Sequence, residues 1–345
     1  MFILRLMAFI LIYVGILNVY TFIMCCIEKS RVEKGIRRSS ESRLLSSGLI
    51  GGCFGLLLGI RVFNYKPNNL KLILCTTVLC VIWGIALLHI ISALTLDRRI
   101  EFHRVTYSSP KLTQSLDGYT IAFITDTHDL PEEDLLKAVE KLNGYHPELL
   151  LLGGDFHSKY LTDERSMEIL STVMASDGIY GVEGNHDNYK TLFSAMKQYE
   201  ITPLSNNGIK IRNGLFICGT DDLWNRYPDI TKAASDAGQD DFVLLVAHNP
   251  DVTMIQDTNT VDLVLSGHTH GGQATFLGLW APALSLRNSI TDYGQRFLSG
   301  WTKSRDGVDV LVSNGTGTFS DVPRIFARPQ VILLTLHCES NENDS

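Results

Sequence analysis

The sequence has few cysteines and no internal repeat, and these absences exclude several classes of protein. It contains seven cysteines in 345 residues. Five of them lie in or beside apolar segments and two are isolated, so their spacing indicates neither a disulfide framework nor a zinc cluster. We interpret them as buried free thiols in a reducing compartment: Cys25, Cys26, Cys53, Cys75, Cys80, Cys218 and Cys338.

Net positive charge is lacking from most of the chain. The first 97 residues carry ten Lys and Arg against four Asp and Glu, a net charge of +6, whereas the whole chain has a net charge of −7. The remaining residues therefore carry −13. Because nucleic-acid binding requires positive potential to neutralise phosphates, this distribution argues against a nucleic-acid partner.

Long hydrophobic runs are abundant at the N-terminus, and 45% of all residues are hydrophobic. Three runs, at about 2–27, 44–62 and 72–96, are each long enough to cross a bilayer, which takes about 20 apolar residues. We predict three transmembrane helices in residues 1–97, a catalytic domain in 98–338 and a disordered tail in 339–345. A cleaved signal peptide is disfavoured, because the first run is too long, lacks a small-residue cleavage site and precedes two further spans.

The basic residues predict the orientation in the membrane. The segment 28–43 and the segment after the third run are richer in Lys and Arg than residues 61–71. Since basic loops remain on the cytoplasmic side, we predict a multi-pass protein of the bacterial inner membrane with its catalytic domain in the cytoplasm. The lipid bilayer is the expected partner, and no obligate protein partner is predicted.

The remainder of the chain alternates strand and helix signals. Strands are predicted at 119–124, 148–152, 178–182, 215–218, 242–246, 261–265, 308–312 and 331–336, and helices at 132–142 and 164–174. Strands outnumber helices in the second half. This pattern favours an α/β fold with two packed β-sheets flanked by helices over a doubly wound single sheet.

Side chains that bind metals follow five of these strands. The segments are DTH at 126–128, GGD at 153–155, GNHD at 184–187, AHNP at 247–250 and GHTHGG at 267–272. Because strand ends on one edge of a sheet converge, these turns are expected to meet. Their carboxylate, imidazole and amide donors suit divalent first-row metals, and a single carboxylate that joins two ions is typical of two-metal sites.

This ordered set of motifs resembles the calcineurin-like metallophosphoesterase superfamily, and within it the membrane-anchored YkuE/YaeI-like phosphodiesterase branch. The resemblance extends over about 121–336 and includes Tyr293-Gly294 and the run 312–329. It implies a two-sheet sandwich with two divalent metals at its edge, Mn²⁺ as first choice and Fe or Zn as alternatives. The ligands it implies are Asp126, His128 and His270 for one metal, Asn185, His248 and His268 for the other, and Asp155 bridging both.

The resemblance also implies a mechanism, in-line attack on phosphorus by a hydroxide that bridges the two metals. His186 is the predicted catalytic residue, either hydrogen-bonded to a phosphoryl oxygen or protonating the leaving group. Arg324 and Arg328 are weaker candidates for binding a second phosphate, because arginine suits bidentate recognition. His157 is expected to be a surface residue or to support a ligand without binding the metal, and Asp187 to orient His186 or cap the following turn.

The predicted function is hydrolysis of a phosphodiester or pyrophosphate. A lipid-linked nucleotide such as UDP-2,3-diacylglucosamine is one specific substrate, because the site is expected beside a bilayer. Residues 280–290 contain Trp280, Leu284 and Leu286 and are a candidate lipid contact, although a packed loop is slightly favoured. Two alternatives stay open: a membrane receptor or scaffold that uses the metal site for binding, and a nuclease, which the negative charge disfavours.

Overall fold

The computed structural model describes residues 2–36, 41–157, 159–286, 290–320 and 322–339. The chain divides into two compact units, Met1–Thr95 and Leu96–Ser345. Apart from Glu339, the predicted disordered tail lies outside the described residues.

The first unit consists of helices. They are α1 (Phe2–Glu33), α2 (Glu41–Ser47), α3 (Cys53–Val62) and α4 (Leu70–Leu96). Three segments are long and apolar enough to cross a membrane, namely Phe2–Glu33, Ser42–Val62 and Leu70–Leu96. They correspond to the three predicted hydrophobic runs.

The second span is not the continuous helix that its sequence predicts. A single π-helical turn, Gly48–Gly52, separates α2 from α3, and Gly51 in this turn has φ +121°. The Asn18 amide of α1 donates to the Gly51 carbonyl at 2.8 Å, and its oxygen accepts from the Gly55 amide at 2.7 Å. These bonds satisfy backbone groups that the irregular turn leaves without helical partners, which is essential in an apolar environment.

Replacing Gly55 should separate α1 from α3. A Cβ atom at Gly55 would lie 1.9 Å from the Asn18 carbonyl oxygen. We therefore expect Gly55→Leu to lower the free energy of unfolding by about 1–3 kcal/mol, measured as thermal unfolding in detergent. Gly84→Leu is the matched control, since a Cβ at Gly84 meets no atom within 4 Å. Equal unfolding temperatures for the two variants would contradict this account of the helix packing.

The second unit contains the remaining elements. They are β1 (Glu101–Ser109), β2 (Thr120–Ile124), α5 (Glu132–Asn143), β3 (Leu149–Leu152), α6 (Asp163–Leu170), β4 (Ile179–Gly181), α7 (Tyr189–Gln198), β5 (Thr202–Pro203), β6 (Asn207–Arg212), β7 (Leu215–Gly219), α8 (Ile230–Ala233), β8 (Phe242–Val246), α9 (Val252–Ile255), β9 (Leu263–Ser266), β10 (Gly300–Lys303), β11 (Asp309–Val312) and β12 (Gln330–Cys338).

The strands form two six-stranded sheets, with strand orders β1-β12-β2-β3-β4-β5 and β10-β11-β9-β8-β7-β6. Their inner faces share one apolar cluster, to which Ile121 and Phe123 contribute from the first sheet and Leu244 from the second. The alternate residues of β2, Ala122 and Ile124, pack instead with residues of α5, α6 and α7. The predicted two-sheet fold with helices outside is therefore confirmed.

The arrangement of parallel strands positions the metal-binding motifs. Strands β2, β3 and β4 run parallel in the first sheet, and β7, β8 and β9 run parallel in the second. Their C-terminal ends consequently lie on one edge of each sheet. The turns after β2, β3, β4, β8 and β9 are the five segments singled out in the sequence.

Several elements differ from the sequence prediction. Helix α6 ends at Leu170 instead of 174, where the Ser171 and Thr172 hydroxyls donate to carbonyls of the preceding turn. Such side-chain bonds compete with helix continuation. Strands β1, β5, β6 and β10 and helices α7, α8 and α9 were not predicted.

Candidate metal centre

The turns that carry the candidate ligands adopt an unusual backbone conformation. Within these turns, five non-glycine residues have positive φ: Asp126 (52°), His128 (28°), Asp155 (59°), His268 (69°) and His270 (54°). Positive φ is unfavourable for residues with a Cβ and persists where the surrounding structure imposes it, often at functional sites. Five of the seven predicted ligands are thus held in strained positions.

A glycine permits the closest approach between these turns. Gly154 has φ +95°, and a Cβ there would lie 2.6 Å from the Gly184 nitrogen and 2.8 Å from His248 Nδ1. Only a glycine fits this position. The GGD segment therefore brings Asp155 directly against the GNHD turn and the histidine after β8.

Asp155 lies at the centre of the site. Its Oδ2 atom is 3.2 Å from His128 Nε2 and 3.2 Å from His248 Nε2. Two groups of buried side chains each have ligand atoms within 4.8 Å of one another, and Asp155 belongs to both. One group is Asp126, His128, Asp155 and His270, and the other is Asp155, His248 and His268.

The other predicted ligands join these groups. Asn185 Oδ1 lies 3.2 Å from His248 Nε2, and His270 Nε2 lies 3.4 Å from Asp126 Oδ1. Asp126 is also held by the Thr125 hydroxyl at 2.7 Å and by the His268 amide at 3.1 Å. The structure therefore brings all seven predicted side chains together, in the two sets that the resemblance implies. Their role as ligands stays a prediction.

Backbone carbonyls select the nitrogen that each of two histidines presents to the centre. His248 Nδ1 lies 2.7 Å from the Gly153 carbonyl, and His268 Nε2 lies 2.8 Å from the Ile290 carbonyl. A carbonyl accepts a hydrogen bond from a ring N–H, which leaves the opposite nitrogen of the neutral ring to face the centre, as in histidines that bind metals. His248 then presents Nε2 and His268 presents Nδ1.

The electrostatics of the site also fit cations. Burial lowers the pKa of His268 to about 3 and holds that of His270 well below its usual range, so both imidazoles are neutral donors. Burial opposes ionisation of Asp155, but His248 and His128 outweigh it and hold its pKa well below normal. His128 Nε2 is buried, and apart from Asp155 Oδ2 at 3.2 Å it has no polar partner among the described residues. Two neutral imidazoles and a carboxylate charge thus converge in a buried space, which fits divalent metals.

His186 stands outside both groups, beside them. Its backbone amide donates to Asp155 Oδ1 at 2.8 Å, and its ring centroid lies 5.2 Å from that of His128 and 4.9 Å from that of Phe319. Partial burial lowers the pKa of His186, and the residue remains exposed to solvent. A neutral imidazole next to the metal-binding groups is available to contact a substrate.

Asp187 has a role that the sequence did not reveal. Its Oδ2 accepts from the amides of Asp155 (2.7 Å) and Gly184 (2.9 Å). Its Oδ1 accepts from the amides of Phe156 (2.8 Å) and His157 (2.9 Å). One carboxylate thus joins the GGD turn to the GNHD turn, where the sequence indicated only a local contact.

Arg324 is buried, with 1% of its surface exposed. Its guanidinium donates to four backbone carbonyls, those of Gly317, Ala327, Asn314 and His270. This placement favours a role in positioning His270, and the substrate contact stays a prediction. Arg328 donates to the Arg99 carbonyl at 3.0 Å and pairs with Glu101 at 3.2 Å, so it lies against the start of β1.

Two exposed aromatic side chains near the centre were missed by the sequence interpretation. Trp224 meets the His268 ring edge-on at 4.6 Å, and Phe319 lies 5.3 Å from the His128 ring. They are 51% and 45% exposed. No motif marks either position, because each depends on how distant loops fold onto the sheet edge. His157 is a surface residue as predicted, with 63% of its side chain exposed.

Comparisons with known proteins agree with this geometry. The family model described as calcineurin-like phosphoesterase matches residues 119–272, which contain all seven predicted ligands and His186. A second model, of a protein family of unknown function (DUF1294), matches residues 18–71.

Curated relatives match a longer part of the chain. Protein YpbG of Bacillus subtilis is 31% identical over 226 residues, covering 63% of this chain and 80% of that protein. Metallophosphoesterase YkuE of the same organism is 27% identical over 256 residues, covering 69% and 85%. A metallophosphoesterase of Helicobacter pylori is 28% identical over 229 residues, covering 63% of this chain and 59% of its own length.

The relatives named metallophosphoesterase, the family match and the position of Asp155 in both ligand groups lead to the same assignment. This chain belongs to the calcineurin-like metallophosphoesterase family.

Proposed function

We propose that the protein is a membrane-anchored, metal-dependent phosphoesterase that hydrolyses a phosphodiester or pyrophosphate bond. The main support for this proposal is that Asp155 belongs to both groups of candidate ligands. A carboxylate shared by two ligand sets is the arrangement that two-metal hydrolases require.

The side chains divide into those that hold cations and one that contacts substrate. Asp126, His128 and His270 would hold one ion, Asn185, His248 and His268 the other, and Asp155 both. When bound, a pair of divalent cations supplies positive charge for phosphoryl oxygens and lowers the pKa of water. His186, whose ring is partly open to solvent, would donate an N–H to a phosphoryl oxygen, a bond available to its neutral imidazole.

A membrane-proximal substrate is part of the proposal. The chain has three candidate spans, and exposed Trp224 and Phe319 lie against histidines of the metal centre. Leu279 and Leu286 are 77% and 65% exposed in the loop after GHTHGG. Such apolar surface suits a substrate with acyl chains, and we propose a lipid-linked nucleotide such as UDP-2,3-diacylglucosamine. The distribution of basic residues favours a bacterial inner membrane and a cytoplasmic site.

A substrate and metal screen tests the proposal. We expect purified full-length protein with Mn²⁺ to hydrolyse bis(4-nitrophenyl) phosphate, to lose this activity with a chelator and to recover it when the metal is returned. Fe²⁺ and Zn²⁺ serve as comparison metals, because the oxygen and nitrogen donors accept all three. Release of UMP from UDP-2,3-diacylglucosamine would be the result expected for the lipid-linked substrate.

Two outcomes of the same screen would redirect the proposal. Binding of two metal ions per chain without turnover of any ester would favour the receptor or scaffold alternative. Hydrolysis of the aryl diester without UMP release would reject the lipid-linked nucleotide and leave the phosphoesterase activity in place.

A further inference from the structure

A separate cavity of about 830 Å³ lies at the N-terminal ends of α6 and α7. Residues from the loop before α6, including His157, Tyr160 and Thr162, form one side. Asn188, Thr191 and Ser194, at and within α7, form the other. None of the residues that line this cavity belongs to the seven candidate ligands.

The cavity adjoins the metal centre through the loops that carry two of its key residues. His157 follows Asp155 by two residues, and Asn188 follows His186 by two. Two residues of chain span at most about 7 Å. Asp187 fixes both loops, since it precedes Asn188 and accepts from the His157 amide at 2.9 Å. A group attached to a phosphate at the metal centre would therefore reach the mouth of this cavity.

Asp163 gives the cavity its distinctive chemistry. Its side chain is 10% exposed, and its Oδ2 atom accepts from the Thr191 hydroxyl. Its Oδ1 atom is buried without a hydrogen-bond partner among the described residues, and His157 Nδ1 lies 3.8 Å from it. A buried carboxylate oxygen without a donor costs free energy, which a ligand that brings a hydroxyl would recover.

The rest of the lining suits the same kind of ligand. Asn188, Ser194 and Gln198 offer amide or hydroxyl groups, and Tyr160, which is 57% exposed, offers an aromatic surface. Carboxylates, amides and hydroxyls around an aromatic face are typical of sites that bind vicinal hydroxyl groups, as where an acidic residue binds a ribose.

We propose that this cavity is a subsite for a polyhydroxylated group, such as a sugar, a ribose or a polyol, that is esterified to the phosphate. Asp163 accepts a hydroxyl hydrogen bond from that group. This inference rests on the proposed phosphoesterase function, because that function places the phosphate at the metal centre. The inference adds the chemical class of the group attached to that phosphate.

Inhibition of the metal-loaded, full-length protein tests the subsite. Glycerol 1-phosphate, ribose 5-phosphate and methyl phosphate are compared as competitors of bis(4-nitrophenyl) phosphate hydrolysis. The first two carry hydroxyls and the third does not, so we expect them to bind about tenfold more tightly than methyl phosphate, the effect of one charge-assisted hydrogen bond. Comparing the affinities of glycerol 1-phosphate and ribose 5-phosphate shows whether the cavity prefers a polyol or a ribose.

Two variants should abolish this preference. Asp163→Asn removes the carboxylate, and Ser194→Leu, at an exposed position of α7, fills the cavity. Glu168→Gln on α6 is the control, since Glu168 pairs with Arg165 and does not line the cavity. It should retain the preference.

Binding is also measured by calorimetry, which does not require turnover. The inference is overturned if the hydroxylated phosphates bind no better than methyl phosphate, or if Asp163→Asn weakens all three equally. Tighter binding of the hydroxylated phosphates by a protein that hydrolyses no ester would reject the proposed function and retain the subsite.

Discussion

Asp155→Asn should abolish hydrolysis and reduce the metal content of the protein. The substitution removes the charge that lies 3.2 Å from both His128 Nε2 and His248 Nε2. It also places an N–H donor where either cation would need a lone pair. Loss of an outer-shell partner costs about 10–100-fold in metal affinity or activity. A shared ligand should cost more, and we expect kcat/KM to fall at least about 1,000-fold.

Metal content and activity must be measured together for this variant. Mass spectrometry of the metals should find fewer than two ions per chain, whereas the control Glu133→Gln, on the exposed surface of α5, should keep both ions and full activity. An Asp155→Asn variant that retained a tenth of the activity with two bound ions would show that other donors hold the cations. The proposed two-metal site would then be wrong.

The sequence predicted that the candidate ligands meet, because two independent patterns coincide at these positions. Strands such as Phe242–Val246 are buried on both faces and therefore appear as uninterrupted apolar runs. Each of five such runs is followed by polar residues within three positions. The parallel pairing that makes these ends converge is a general property of such sheets.

The features that hold the site in place could not be predicted from the sequence. Neither the positive φ of Asp155 nor the four amides bound by Asp187 has a local sequence signal. The burial of Arg324 among carbonyls likewise depends on the path of residues 314–327. Each of these features is determined by contacts between residues that are distant in the sequence. A pattern of neighbouring residues therefore cannot predict them.

The missed secondary structure has simpler causes. In β1 only Val105 is buried, so this edge strand lacks an apolar pattern. Helix α7 begins shortly after the GNHD motif, and its fully buried residues are Leu192, Ala195 and Met196. Short amphipathic elements beside a functional turn give weak signals, since the turn residues interrupt the helical period.

His186→Ala should reduce kcat strongly and leave the metal content unchanged. The imidazole lies next to His128 but belongs to neither ligand group, so its removal should not release a cation. Loss of one hydrogen bond aimed at a phosphoryl oxygen typically costs about 100–1,000-fold in kcat. His157→Ala is the matched control, because His157 is 63% exposed, follows Asp155 by two residues and belongs to neither group.

The choice of ester separates the two roles open to His186. Partial burial lowers the pKa of His186, so the imidazole is neutral near pH 7 and suited to donate a hydrogen bond without transferring its proton. A hydrogen bond to a phosphoryl oxygen strengthens in the transition state to the same extent for good and poor leaving groups. The loss in His186→Ala should therefore be similar for 4-nitrophenyl and phenyl diesters. A much larger loss with the phenyl ester would assign His186 to protonation of the leaving group, and full activity with both esters would exclude it from catalysis.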